Sequence, residues 1–80
     1  MKAKYSKNQL EQDIIREGKV LGLHPGSTSI IAKLVAESVS TWASSRSEIT
    51  KDDLTRITAK ELTRYNQDLS YVYKNRDKII

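Results

Sequence analysis

The only histidine of the chain, His24, stands beside Pro25, and neither a cysteine nor a second histidine accompanies it. A metal site or an acid–base centre there would need carboxylates gathered from several helices, so His24 reads as a turn residue. None of the serines lies in an elbow motif that would expose a nucleophile. Gly18, Gly22 and Gly26 are spaced by four and form neither a GxGxxG nor a GxxxxGK[ST] phosphate cradle; they read as turn and termination residues. The expectation is a domain that is not an enzyme, with no catalytic residue, no metal and no required cofactor.

What remains is cationic. Arg56, Lys60 and Arg64 follow one another by four, and Lys74, Arg76 and Lys78 cluster near the C-terminus. On helices these spacings make a solvent-side stripe that can contact nucleic-acid phosphates. The same residues also fit an ordinary solvated face partly neutralised by Glu61, Asp68 and Asp77. Tyr71 falls on the opposite side from Leu69 and, beside lysines, can stack on a base. Tyr65 and Tyr73 fit the apolar side, and Trp42 reads as a core plug whose indole N–H meets a loop carbonyl.

Fourteen Lys and Arg against ten Asp and Glu give a net charge of +4 and a pI near 9.5. That balance suits anionic partners, whether nucleic acid, nucleotides or acidic proteins, and equally suits solubility. Eighty residues allow one core, and a core this small leaves only marginal stability, which dimerisation would improve. With no cysteine, conventional packing must supply that core. No apolar run reaches the length of a signal sequence or a membrane span, so a cytoplasmic location is expected.

The spacing predicts an all-α fold, a compact bundle of about four short helices behind a flexible basic tail over residues 1–6 that carries Lys2 and Lys4, with Lys7 just beyond it. Ser6 and Gln9 form a capping-box pattern for a first helix over about Lys7 to Leu21, with Leu10, Ile14 and Leu21 inward and a stop at Gly22. Gly18 weakens that helix by about 1 kcal/mol, so residues 18–23 are either helical or a short extended segment. After the His24-Pro25-Gly26-Ser27 break, Ser27 or Ser29 caps a central helix whose buried stripe is Ile31, Leu34, Val35, Val39 and Trp42. Ser44-Ser45-Arg46-Ser47 ends it. Thr50 caps a third helix, with Asp52 and Asp53 in its first turn, Ile49 as a staple, an inward side of Leu54, Ile57, Leu62 and Tyr65, and Thr58 and Glu61 at the edges. Asn66-Gln67-Asp68 interrupts the pattern before a last short helix carrying Leu69, Val72, Tyr73 and Ile80.

Ile49-Thr50-Lys51-Asp52-Asp53-Leu54, Glu61-Leu62 and the string from Asp68 to Arg76 resemble the C-terminal half of an ATP-cone domain, the regulatory module at the start of ribonucleotide reductases and in the repressor of their genes. The resemblance covers about two-fifths of the chain. It implies a purine nucleotide, ATP or dATP, as an effector, and Ile31 to Ser38 as the first family helix. ATP cones begin with a strand pair holding a Lys-Arg-Asp-Gly type segment; the nearest counterpart here is Arg16-Glu17-Gly18-Lys19-Val20, so the resemblance assigns phosphate contact to Arg16 and Lys19. A second likeness, of Thr50 to Leu54 to a helix start of histone-fold proteins, goes with a basic helical DNA-binding domain, acting alone or as a homodimer. Three readings stand side by side: a nucleotide-responsive module, a DNA binder, and an interaction module whose protein partner fits between the second and third helices.

Overall fold

Four side-chain caps start the four helices of the computed structural model, which describes residues 5–76. Helix α1 spans Lys7–Val20, α2 Pro25–Ser44, α3 Lys51–Thr63 and α4 Gln67–Lys74, and no strand occurs among the described residues. Ser6 Oγ accepts from the Gln9 amide, Thr50 Oγ1 from that of Asp53 and Asn66 Oδ1 from that of Leu69. Each satisfies one of the donors that a helix start leaves without a partner. The fourth cap departs from the sequence reading: α2 begins on His24, whose Nδ1 accepts from the Gly26 amide at 3.1 Å, rather than on Ser27 or Ser29. Pro25 then occupies the first helical position, where its missing N–H costs nothing.

The open question over residues 18–23 resolves as helix through Val20, closed by a Schellman motif. The Gly22 amide donates to Lys19 O and the Leu23 amide to Gly18 O. Gly22 has φ +74°, which a residue with a Cβ adopts at a cost. Gly18 stays inside α1 for a packing reason. A Cβ there would run into the Thr28 side chain of α2, closer than any ordinary van der Waals contact, so the glycine lets the two helices approach. Thr28 is itself fixed by donating from Oγ1 to His24 O at 3.0 Å.

This close approach turns α2 away from its expected orientation. Val35 and Val39 are buried as the spacing predicts, but the rest of the inward face is Thr28, Ala32 and Ala36. Leu34 is 46% exposed, and Ile31 and Trp42 are only half-buried. The stripe drawn through the largest apolar residues missed the small ones that a tight helix pair requires. The core is completed by Leu10 and Ile14 of α1, Leu62 of α3, and Leu69 and Tyr73 of α4. Leu21 is half-buried, and Tyr65, expected inward, is 45% exposed because α3 ends at Thr63 and leaves it beyond the helix. Thr58, expected at an edge, is fully buried, and its Oγ1 lacks a hydrogen bond of ordinary geometry.

Two polar brackets tie the helices together. Ser70 Oγ of α4 donates to Ala59 O of α3 at 2.6 Å and accepts from Thr63 Oγ1 at 2.9 Å. Tyr5, inside the stretch read as tail, donates from its hydroxyl to Ala36 O at 3.0 Å and lies 2.6 Å from Ser40 Oγ. Lys7 meets Glu37 at 3.0 Å, and this hydrogen-bonded carboxylate raises the lysine pKa. Residues 1–4 and 77–80, with Lys2, Lys4, Asp77, Lys78 and Ile80, lie outside the described residues. The radius of gyration, 11.9 Å, matches the roughly 11–12 Å of a globule this size.

Gly18→Ala is expected to lower the melting temperature even though alanine favours a helix by about 1 kcal/mol. Overpacking against Thr28 costs about 1–3 kcal/mol, and each net kcal/mol is worth roughly 4–8 °C in a domain of this size. Thermal denaturation followed by circular dichroism checks it: adding Thr28→Ala should recover part of the loss, and a Gly18→Ala protein that melts higher would sink the argument.

Burial pushes the Tyr73 phenol above its ordinary value of 10.0, opposed by the Arg76 guanidinium 4.1 Å from the ring centroid and slightly by the Thr58 hydroxyl. The folded state therefore favours the neutral phenol. Its contribution is complete below about pH 10 and is lost as pH rises through the folded-state pKa, in the same direction as that of Lys7. Melting temperatures between about pH 9 and 11 should fall less steeply in Tyr73→Phe than in the parent chain; equal slopes would show that Tyr73 carries none of the alkaline loss.

Candidate functional site

The end of α2 and the start of α3 form the candidate surface, a groove shaped by the way each helix is terminated. Ser44 Oγ donates to Thr41 O and Ser45 Oγ to Trp42 O, while the amides of Ser45 and Arg46 close the last turn onto Trp42 O and Ala43 O. These bonds use carbonyls that a helix end leaves open. They also set Arg46 one turn beyond Trp42, with its guanidinium carbon 5.1 Å from the centroid of the indole ring. The chain then turns through Ser47 and Glu48 to the buried Ile49, which anchors the start of α3.

On α3, Asp53, Arg56, Ile57 and Lys60 recur at three- and four-residue spacing, and they face the end of α2. Together with Trp42, Arg46 and Glu48 they line an open groove of about 280 Å³. Its apolar lining comes from Trp42 and Ile57, both packed against the core. Its charged lining is three cations, Arg46, Arg56 and Lys60, against two carboxylates, Glu48 and Asp53, a surplus of one positive charge. Arg56 is 2.9 Å from Asp53 and 3.5 Å from Asp52, with side chains 44–92% exposed. Exposed pairs of this kind contribute roughly 0–1 kcal/mol, so an incoming anion can compete for the guanidinium.

The six cations taken from the sequence separate into distinct environments. Arg56 and Lys60 are in the groove, and Arg64, exposed, lies one turn further along α3 with its Nε 3.6 Å from Glu61. Lys74 is exposed on α4. Arg76 folds back to donate to Tyr73 O at 2.8 Å and to cover the Tyr73 ring, which makes it a helix-end clamp. Lys78 falls outside the described residues. The two cations assigned by resemblance, Arg16 and Lys19, are both exposed near the C-terminal end of α1, and Arg16 sits 3.5 Å from Asp13. Neither lines the groove. Cations at that end of a helix complement its negative dipole without any ligand.

Arg46, Glu48 and the accessible edge of Trp42 were missed as site residues. The serine-rich stretch read only as a terminator and Trp42 only as core; the Trp42-Arg46 spacing of four at a helix end was the available signal. Among the described residues no three His, Asp or Glu side chains are grouped to hold a metal ion, and no helix is long and apolar enough to cross a membrane. Comparison with protein-family models, with curated proteins and with solved structures gives no match for this chain.

Proposed function

We propose that this chain is a non-enzymatic module that binds nucleic acid through its phosphates, using Arg46, Arg56, Lys60 and Arg64. One observation carries the reading: cations from two different segments, Arg46 in the turn that follows α2 and Arg56 and Lys60 on α3, meet at one groove, and the α3 series continues past it to Arg64. Successive members of that series are about 6 Å apart along the helix. A row of charges longer than the groove suits a polyanion better than one compact anion. The ATP-cone-like reading, with ATP or dATP held by Arg16 and Lys19, has weaker support, because both cations come from one helix edge and the groove contains neither.

Binding driven by phosphate neutralisation releases counterions, and log K falls with log salt by about 0.7–0.9 per contact. Four contacts correspond to a slope of roughly −3. Fluorescence anisotropy of a labelled oligonucleotide across a salt series should show that slope, and Arg56→Gln with Lys60→Gln should reduce its magnitude by between one and two while the melting temperature holds. Absence of binding at low salt, or an unchanged slope in the double variant, would count against the reading. A salt-resistant rise in melting temperature with ATP or dATP would favour the nucleotide module instead.

A further inference from the structure

We infer that the groove takes one unpaired base, stacked on Trp42, so that the module prefers single-stranded to duplex nucleic acid; this rests on the phosphate-binding reading above. A groove meant only for phosphates has no use for an apolar lining. Here Trp42 and Ile57, both packed against the core, supply one, and the exposed cations beside it come from two segments, Arg46 from the turn after α2 and Arg56 and Lys60 from α3. Its volume of about 280 Å³ is just under the roughly 300–1,000 Å³ of sites for whole small molecules. That admits a flat ring, with its sugar and phosphate left at the mouth beside the cations.

Trp42 is half-buried, fixed on its inner side by the core and open on the groove side. The group over its ring is a guanidinium on an exposed, flexible side chain. An exposed cation–π contact is weaker than stacking of a base on an indole, so a base can displace Arg46 from the ring. The freed guanidinium then stands beside the phosphate of the same nucleotide. In a duplex the bases are stacked inside and paired, and none can enter without being flipped out at a cost. A single strand offers its bases at little cost, and every base has a face to stack.

Trp42 is the only tryptophan in the chain, so its emission reports on the groove alone. The full chain is titrated at low salt with a short oligothymidylate, a duplex of equal length and inorganic polyphosphate. The single strand should quench Trp42, and the duplex and polyphosphate should bind with little quenching. Trp42→Leu should weaken single-strand binding by roughly ten-fold or more and duplex binding by much less, with Trp42→Phe between Trp42→Leu and the parent chain; circular dichroism establishes that each variant is folded. Where Trp42→Leu does not fold, Trp42→Phe and the quenching of the parent chain decide. Equal binding of single strand and duplex, no quenching and no effect of either variant would overturn the stacking inference and leave phosphate binding standing. Failure of all three anions to bind would remove the phosphate reading itself.

Discussion

The contact between Gly18 of α1 and Thr28 of α2 is the constraint on which the remaining architecture depends. It occurs where the two helices have just been joined by a turn of four residues, Leu21 to His24, so there is no slack to absorb a wider separation. With the backbones held close at this end, α2 gives small residues, Ala32 and Ala36, to its inward face beside Val35 and Val39, and both alanines are fully buried. The larger side chains Ile30 and Leu34 are turned outward. Helix propensity loses at Gly18 because about 1 kcal/mol of local preference is smaller than the cost of forcing a methyl group into a packed contact.

The same pairing determines where the groove can be. Helix α2 has 20 residues against 14 in α1, and the Tyr5 hydroxyl, just before α1, bonds along α2 at Ala36 and Ser40. The α2 turn holding Trp42 lies beyond those positions and meets α3. Its indole therefore belongs partly to the core and partly to the surface. An aromatic ring supported from inside and open on one edge is a different object from one sealed in a core, and it arises from the unequal lengths of the two helices.

How much of this was legible in the sequence follows from the range of each interaction. The caps at Ser6 and Thr50 and the stop at Gly22 were readable, since each is settled within three or four residues. The face of α2 was not, because a threonine and two alanines become core only against a glycine on another helix, and hydrophobicity alone ranks Leu34 above them. Arg56 and Lys60 were legible as a pair through their four-residue spacing on α3. Arg46, Trp42 and Glu48 were not legible as their neighbours, since only the packing of α2 on α3 brings them together. Arg76 looked equivalent to Lys74 in sequence, and its contact with the Tyr73 ring separates them.

The carboxylates of the groove limit how strongly it can hold an anion, and they cannot simply be removed. Asp53 of the groove and its neighbour Asp52 sit in the first turn of α3, where negative charge near the exposed amides stabilises the helix by about 0.3–1 kcal/mol each at low salt. They also hold Arg56, so a phosphate arriving there must displace a carboxylate rather than meet a bare cation. The net attraction per contact is then the difference between two charge-assisted interactions in water, and it is small. A surface of this kind gains from repetition along α3 and from a ring that contributes without charge, which is why the row of cations and Trp42 have to be considered together.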